Sequence, residues 1–271
     1  MTIDRIAFPS GAVCGVALDH RDGLRVAART RGYPDDSGSL RTLKTELARG
    51  LAPVASVVLL DAELGTDAMG ELDGVPLVIP LEAQGYQTIG EGRVTTLLSD
   101  IDPGRAAGLG AVGCKLLLPY RPDLAEAARR QEETVAAMVA ACRAAGVLSI
   151  IEPIVYGEVP TLGATVVETA KRLARIGPDV LKLQYPGDAH DCRRVTDSCG
   201  AVPWVLLGGG TIEETFLSRL RDACAAGARG YIVGRTAWDT ALVTDAAARE
   251  RAIAGRAAFL ARCRSVVEAT P

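Results

Sequence analysis

The segment Asp179-Val-Leu-Lys-Leu-Gln-Tyr185 places Lys182 in the middle of an apolar, strand-like run. Two other runs share this character. Ala111-Val-Gly-Cys-Lys-Leu-Leu-Leu118 contains Lys115, and Val147-Leu-Ser-Ile-Ile-Glu152 ends on a carboxylate. A buried charge costs several kcal/mol unless it is paired or neutralised. Charged residues within core strands therefore indicate chemistry rather than packing.

Short apolar runs of this kind recur about every 30 residues, the length of a strand plus its crossover helix. Most are continuously apolar, as strands buried on both faces are. Helical patterns lie between most of them, and no break in composition divides the chain. The pattern predicts one α/β domain over residues 1–271, a single (β/α)8 TIM barrel. The eight runs are Ala12–Leu18, Ser56–Leu60, Pro76–Ile79, Val112–Leu118, Leu148–Ile151, Val180–Gln184, Trp204–Leu207 and Tyr231–Val233.

Composition narrows the functional class. The chain has 271 residues, a formal net charge of -3 and 48% hydrophobic residues, so it lacks the basic footprint of a nucleic-acid-binding protein. No apolar run reaches the length of a membrane span, and no signal peptide is recognisable. Seven scattered cysteines and two histidines indicate reduced, buried thiols rather than a metal site. We expect a cytoplasmic enzyme without metal or cofactor, and leave open whether it forms a homo-oligomer.

The carboxyl ends of the strands carry the candidate catalytic residues, because catalysis in such barrels occurs there. Strand alternation places Lys182 with Val180 on the face opposite Leu181 and Leu183, and hence inside the barrel. A lysine amine in its neutral form can attack a ketone or aldehyde, and the resulting iminium accepts electrons when a C–C bond breaks. A structural lysine paired with a carboxylate is the alternative.

Lys115, Glu152 and Asp19 complete the expected catalytic group. A second ammonium near Lys182 would favour its neutral, nucleophilic form, although Lys115 could instead bind the substrate or pair with Glu152. Glu152 is the candidate general acid and base, or only an anchor for a lysine. Asp19 could contact a substrate hydroxyl or a catalytic lysine, or anchor a loop. His20 and Arg21 follow it and are expected to bind the substrate, although a packed, neutral His20 is an equal alternative.

Two glycine-containing turns predict an anion site. Leu207-Gly-Gly-Gly-Thr-Ile-Glu-Glu214 opens a helix with Gly209 and Gly210, and Gly234-Arg235 follows the last strand. The loops after strands seven and eight are the usual phosphate site of this architecture. The segment Arg31–Ser39 is expected to be either a mobile active-site lid or a plain solvated connection.

Six segments together resemble class I aldolases of the deoxyribose-phosphate and tagatose-bisphosphate aldolase superfamily, most of all its tagatose-1,6-bisphosphate and sulfofructosephosphate branch. The resemblance implies a barrel fold, a Schiff base on Lys182, acid/base work by Glu152, assistance from Lys115 and an anion grip by Gly209, Gly210, Gly234 and Arg235. The segments are Val16-Ala-Leu-Asp-His-Arg21, Leu59-Leu-Asp-Ala-Glu-Leu-Gly65, Val112-Gly-Cys-Lys-Leu-Leu-Leu118, Ile150-Ile-Glu-Pro153, Asp179-Val-Leu-Lys-Leu183 and Tyr231-Ile-Val-Gly-Arg-Thr-Ala-Trp238.

Two departures from this branch bear on the substrate. His20 stands where the branch commonly has glutamine, and Gly208-Gly209-Gly210 stands where it often has a serine. An Asp-His pair at the first position is similar to archaeal-type class I fructose-bisphosphate aldolases. The expected reaction is cleavage of a phosphorylated ketose or sulfosugar phosphate into a three-carbon ketone fragment and an aldehyde. The alternatives are a sugar-phosphate isomerase or epimerase on the same barrel, and a non-catalytic sugar-phosphate-binding protein.

Overall fold

The computed structural model describes residues 2–270 and shows a closed barrel of eight parallel strands. The strands follow the order β1-β10-β9-β8-β7-β6-β3-β2, and the ring closes where β1 pairs with both β10 and β2. The remaining two strands form a separate antiparallel hairpin. The strands are β1 (Val13–Ala17), β2 (Val57–Leu59), β3 (Leu77–Pro80), β4 (Gln87–Ile89), β5 (Gly92–Val94), β6 (Gly113–Pro119), β7 (Leu148–Ile154), β8 (Val180–Leu183), β9 (Trp204–Leu207) and β10 (Gly230–Val233).

Helices surround the barrel and supply the crossovers between its strands. No helix within residues 2–270 is both long enough and apolar enough to span a membrane. The α-helices are α1 (Asp22–Arg31), α2 (Ser37–Leu51), α3 (Pro103–Gly108), α4 (Ala125–Ala145), α5 (Leu162–Ala174), α6 (Ala189–Cys199), α7 (Glu213–Ala225), α8 (Arg235–Trp238) and α9 (Ala246–Glu268). Short 3-10 turns occupy Ile3–Ile6, Ala52–Val54, Asp67–Glu71 and Asp239–Ala241.

Strand alternation divides the apolar side chains into two separate cores. Leu181 and Leu183 belong to the large core between barrel and helices, whereas Val180 belongs to a smaller core inside the barrel. Ile3 and Ile6 of the N-terminal 3-10 turn also pack in the inner core. The inward direction expected for Lys182 is therefore confirmed, since that residue shares the parity of Val180.

The TIM barrel is confirmed, but two crossovers differ from the sequence-based expectation. The segment Arg31–Ser39 is not a continuous loop, because Arg31 ends α1 and Ser37 begins α2. Only Gly32–Asp36 connects the two helices, and Asp36 caps α2 by accepting from the Ser39 backbone N–H at 3.0 Å. The second difference is the β4–β5 hairpin between β3 and β6, which the sequence did not reveal.

The seven cysteines are all buried and unpaired, as expected from their scattered positions. Burial raises the pKa of Cys14 to about 12, and its neighbouring groups change this little. Such thiols remain protonated and act as small apolar side chains.

Candidate active site

Five charged side chains meet at the carboxyl end of the barrel, and each is less than 9% exposed. They line a cavity of about 240 Å³ together with His20, Arg21 and residues of the β3–β4 connection. Four of them lie an even number of residues from an inner-core position that precedes them on the same strand. Lys115 also points inward, because it alternates with Cys114 and Leu116 of the outer core. They are Asp19, Glu82, Lys115, Glu152 and Lys182.

Lys182 and Glu152 form a direct ion pair across neighbouring strands. The Nζ atom of Lys182 on β8 lies 2.8 Å from Oε1 of Glu152 on β7. Both side chains line the cavity, so the pair faces the space where a substrate would bind. The geometry allows a proton to pass from the ammonium to the carboxylate, which would leave a neutral amine beside a carboxylic acid.

Lys115 lies among three carboxylates. Its Nζ atom is 2.5 Å from Oε1 of Glu82, 2.8 Å from Oδ2 of Asp19 and 3.6 Å from Oε2 of Glu152. Burial lowers the pKa of Lys115, but the negative charges of the three carboxylates outweigh burial and hold it above its ordinary value. Lys115 is therefore a fixed positive charge. Its pairing with Glu152, considered from the sequence, is the longest of its three contacts.

The pKa values of the two other carboxylates shift in opposite directions, although burial acts to raise both. Burial raises the pKa of Glu82, and the nearby charge of Asp19 adds to this, while Lys115 opposes it without cancelling the increase. Burial also acts to raise the pKa of Asp19, but the ammonium groups of Lys115 and Lys182 outweigh it and hold the pKa below its ordinary value. Asp19 thus carries a stable negative charge beside Lys115.

Glu82 was not among the residues selected from the sequence. Besides Lys115, it accepts a hydrogen bond from the Leu117 backbone N–H at 3.1 Å. Its own backbone carbonyl accepts from Nη2 of Arg21 at 2.7 Å. Its position in the sequence does indicate its direction. Glu82 lies four residues beyond Val78 of the inner core and two beyond Pro80, so strand alternation points it into the barrel. It stands at the end of the third predicted strand, but we assigned it no role because it falls just outside the apolar run.

His20 and Arg21 both line the cavity, as expected from the sequence. The His20 ring is half-buried, with its centroid 5.1 Å from that of Trp238 and its Nδ1 atom 3.7 Å from Oδ1 of Asp19. Burial, with the positive charges of Lys182 and Lys115, lowers the pKa of His20 to about 4, although Asp19 opposes this. The imidazole is consequently neutral near pH 7. Arg21 is buried and ties the end of β1 to the end of β3 through Glu82.

Two of the four predicted anion-binding residues line a second cavity, of about 480 Å³. Gly210 and Arg235 line it. The guanidinium of Arg235 lies over Gly210, where a Cβ atom would approach it to 3.3 Å. Gly209 and Gly210 have positive φ angles of 61° and 69°, which glycine adopts without strain. The turn is thus built for glycine and carries an exposed guanidinium above it.

Gly234 lies close to His20, which lines the first cavity, and directly precedes Arg235, which lines the second. A Cβ atom at Gly234 would lie 2.4 Å from Cε1 of His20 and 3.4 Å from the Ala17 carbonyl. Only glycine therefore allows the β10 turn to approach the imidazole this closely. Gly234 thus lies against His20, which lines the catalytic cavity, whereas Gly210 and Arg235 line the second one.

Comparison with known proteins agrees with this geometry. The family described as DeoC/LacD family aldolase matches residues 16–240. The tagatose 1,6-diphosphate aldolase of Listeria monocytogenes serotype 4b is 26% identical over 274 residues, which cover 87% of this chain and 80% of the relative. Tagatose 1,6-diphosphate aldolase 1 of Streptococcus mutans is 27% identical over 271 residues, covering 87% and 83%.

Solved structures show the same fold. A Schiff-base-forming fructose-1,6-bisphosphate aldolase superposes with a TM-score of 0.65 at 19% identity, covering 94% of this chain and 97% of the other. An archaeal fructose-1,6-bisphosphate aldolase superposes with a TM-score of 0.68 at 19% identity, covering 98% and 97%. The match over most of the chain, from before Asp19 to beyond Arg235, shows that this protein belongs to the DeoC/LacD aldolase family and is a lyase that cleaves carbon–carbon bonds.

Proposed function

We propose that the protein is a class I aldolase that cleaves a phosphorylated ketose, or a sulfosugar phosphate, through a Schiff base on Lys182. The observation that carries this proposal is the position of the Lys182 amine, which faces the cavity 2.8 Å from the Glu152 carboxylate. An inward lysine with a proton acceptor in contact meets the two needs of an amine nucleophile. The names of the relatives support a ketose phosphate as substrate.

In this proposal Glu152 moves the protons. It takes one from the Lys182 ammonium, and the free amine adds to the ketone carbonyl of the substrate to give a carbinolamine. Glu152 then returns a proton to the carbinolamine hydroxyl, which leaves as water to form the iminium. Glu152, again a carboxylate, takes the proton from the hydroxyl on the far carbon of the scissile bond. The aldehyde leaves, and the electrons of the broken bond pass into the iminium to give an enamine. Protonation and hydrolysis of the enamine release the three-carbon ketone and restore Lys182.

Lys115 and Asp19 assist without forming covalent bonds. The positive charge of Lys115 is fixed by its carboxylate partners and would stabilise negative charge on the reacting oxygen atoms. Asp19, held as a carboxylate by Lys115, can accept a hydrogen bond from a substrate hydroxyl at the mouth of β1. His20 and Arg21 would contact the substrate from the same side of the cavity.

Gly209, Gly210, Gly234 and Arg235 would bind the phosphate of the ketone fragment. The unpaired, exposed guanidinium of Arg235 above a glycine turn suits a bidentate anion contact. We also propose that residues 1–271 form one catalytic domain that works in the cytoplasm without metal or cofactor. Whether copies associate is a further question for solution measurements.

Replacing the nucleophile tests the proposal. Purified protein is incubated with a panel of ketose phosphates and sulfoketose phosphates, and release of the three-carbon ketone is followed. Wild-type protein should cleave at least one of them, Lys182→Met should abolish cleavage, and Glu152→Gln should lower kcat by roughly 10²- to 10⁴-fold. Lys171→Met, which removes an exposed lysine of α5, should leave activity unchanged.

Other outcomes separate the rival functions. If the substrate isomerises without cleavage and Lys182→Met remains active, the protein is an isomerase or epimerase that uses Glu152 as base. If the sugar phosphates bind but none turns over, it is a binding protein. Either result would overturn the proposed reaction.

A further inference from the structure

The catalytic cavity extends to one side of Lys182. Its lining residues lie on or after β1, β3, β6, β7 and β8, together with Thr95 behind the β4–β5 hairpin. In the ring of strands, β8 is followed by β7, β6 and β3 in one direction and by β9 and β10 in the other. The glycine turns proposed to hold the phosphate follow β9 and β10. A ketose with its carbonyl at Lys182 and its phosphate at these turns therefore places its aldehyde half over β7, β6 and β3.

The charged side chains that line this cavity balance one another. Three are cations and three are carboxylates, and each cation has a carboxylate partner. The Nζ atom of Lys182 lies 2.8 Å from Glu152, and that of Lys115 lies 2.5 Å from Glu82. A second phosphate or sulfonate in this cavity would be an uncompensated negative charge, which is costly to bury. The six side chains are Asp19, Arg21, Glu82, Lys115, Glu152 and Lys182.

The neighbouring basic side chains do not supply a spare positive charge. Nη2 of Arg21 donates to the Glu82 carbonyl at 2.7 Å and lies 3.9 Å from its carboxylate, and the Nε atom of Arg21 is buried. Burial lowers the pKa of His20 to about 4, so the imidazole is neutral near pH 7. Arg93 is not among the lining residues, and its guanidinium carbon lies 4.6 Å from the centroid of the Tyr86 ring. Among the described residues, the lining of the cavity therefore offers a dianion no unpaired cation.

The wall along β6 is uncharged above Lys115. Leu117 and Pro119 follow Lys115 at intervals of two residues, so strand alternation stacks them toward the mouth. Thr95 also lines the cavity, and its hydroxyl donates to the Leu117 carbonyl at 3.1 Å. Gln84 accepts a hydrogen bond from the first backbone N–H of α1 at 3.0 Å, which leaves its NH2 group as a neutral donor. Apolar carbons and neutral polar groups of this kind suit an uncharged, hydroxylated chain.

Positive charge is in excess at the second cavity instead. Three arginines and two carboxylates line it. Arg31 is paired with Asp239, and Arg256 is paired with Glu213. Within residues 2–270, the exposed Arg235 forms no ion pair. One unpaired guanidinium suits one anionic group, on the ketone half of the substrate.

We propose that the substrate is a ketose monophosphate whose only anionic group lies on the ketone fragment, so that cleavage releases an uncharged aldehyde. The hydroxylated tail of this aldehyde lies against Leu117, Pro119 and Thr95. The inference rests on the proposed function for the reaction and deepens it, because it selects monophosphates over bisphosphates and sulfosugar phosphates.

Aldol addition, the reverse of cleavage, tests the charge of the aldehyde directly. Wild-type protein receives dihydroxyacetone phosphate as donor and pairs of acceptors that differ only in a terminal phosphate. The pairs are glyceraldehyde with glyceraldehyde 3-phosphate, and erythrose with erythrose 4-phosphate. In each pair that reacts, kcat/KM should be roughly 10-fold or more higher for the uncharged acceptor, because that acceptor brings no unpaired charge into the cavity. Since the donor is always the same, the ratio reports on the aldehyde half of the cavity alone.

Leu117→Lys places an ammonium group on the wall where the tail of the aldehyde is expected. It should shift the kcat/KM ratio toward the phosphorylated acceptor by roughly 10-fold, the gain expected for a charge-assisted contact. Leu117→Met keeps an uncharged side chain of similar volume and should retain the wild-type ratio. Leu109→Lys, at a side chain after α3 that is 44% exposed, is the matched control with the same change of charge.

The outcomes separate this inference from the proposed reaction. A kcat/KM for either phosphorylated acceptor that equals or exceeds that of its uncharged partner, or no addition to either uncharged aldehyde, would overturn the inference. A wild-type ratio in folded Leu117→Lys would overturn the position given to the aldehyde tail, and if that variant does not fold, the wild-type ratio still decides the charge. A protein that forms the borohydride-reduced adduct with dihydroxyacetone phosphate but prefers phosphorylated aldehydes would overturn the inference alone. A protein that forms no such adduct would overturn the proposed function.

Discussion

At the scale of single residues, the site depends on how three buried carboxylates share two ammonium groups. Lys115 forms ion pairs with Asp19, Glu82 and Glu152, whereas within residues 2–270 Lys182 forms an ion pair only with Glu152. The three carboxylates hold Lys115 in its charged form. Glu152 contacts both lysines, so a change in its protonation affects both. Removing one partner from such a buried network leaves an uncompensated charge. Replacing any of the three carboxylates should therefore have a measurable effect on the stability of the protein.

Glu82→Gln tests whether Glu82 positions Lys115 and keeps its amine protonated. The amide keeps the shape of the side chain but removes one of the three negative charges that raise the pKa of Lys115. The pKa of Lys115 should fall, so the decline of kcat/KM at high pH should begin at a lower pH in the variant than in the wild type. Glu63→Gln, an exposed residue after β2, is the control. Superimposable pH profiles for Glu82→Gln and wild type would refute this role.

The low pKa of His20 should make the free energy of unfolding depend on pH in a known direction. Its pKa is about 4 in the native protein against an ordinary value of 6.5, so between these values the unfolded chain binds more protons. The free energy of unfolding should therefore rise with pH across this window, and the contribution should be complete above 6.5. Urea unfolding should show a shallower rise for His20→Gln, whereas His190→Gln, an exposed histidine of α6, should retain the wild-type slope. Equal slopes for His20→Gln and wild type would contradict a neutral His20.

Residue-level reasoning from the sequence succeeded where a charge interrupts an apolar run. Lys115, Glu152 and Lys182 stand within or at the end of such runs, and the cost of burying them made them visible. Glu82 lies beyond Pro80 in a polar stretch, where nothing but parity marks it. The sequence offered Glu152 and Asp19 as partners of a lysine but could not decide which pairs form, because pairing depends on distances across strands that are remote in the chain.

At the scale of secondary structure, the eight barrel strands were predictable from the sequence, whereas the β4–β5 hairpin and helix α1 were not. The hairpin strands Gln87-Thr-Ile89 and Gly92-Arg-Val94 are short and largely polar, so they lack the apolar run that reveals a barrel strand. Helix α1 buries only Leu24 and Ala28, and its polar sequence resembles a loop. Both elements adjoin the site, since Gly23 of α1 and the residues on either side of the hairpin, Tyr86 and Thr95, line the catalytic cavity.

Gly234→Ala tests the contact between the turn after β10 and His20. A Cβ atom there would lie 2.4 Å from the imidazole, which is held against Trp238, so the ring or the turn must move. We expect a loss of about 1–3 kcal/mol in the free energy of unfolding, together with a higher KM because His20 is displaced. Gly255→Ala in α9, where a Cβ atom meets nothing within 4 Å, should instead stabilise the protein by about 0.5–1 kcal/mol. Equal stability and KM for Gly234→Ala and wild type would show that the approach is not required.

At the scale of the whole molecule, the barrel is stabilised by two concentric cores. The outer core joins strands to helices, and the inner core fills the barrel below the charged residues. Ile3 and Ile6 complete the inner core from the N-terminal 3-10 turn. The inner core thus supports the floor of the site, so that the charged residues open only toward the mouth.

Ile6→Ala tests the contribution of this N-terminal turn. Ile6 is fully buried in the inner core, so its truncation should lower the free energy of unfolding by about 2–5 kcal/mol. Ile212→Ala, at a side chain that is 75% exposed, should change stability by less than about 0.5 kcal/mol. Denaturant unfolding measures both variants. A loss for Ile6→Ala no larger than that of the control would mean that the turn does not support the barrel.

The covalent role of Lys182 is tested most directly by reducing the protein with borohydride in the presence of dihydroxyacetone phosphate and mapping the modified peptide by mass spectrometry. The account predicts one reduced three-carbon adduct on Lys182 in wild-type protein and none in Lys182→Met. An unmodified Lys182, or an adduct on Lys115 instead, would contradict it.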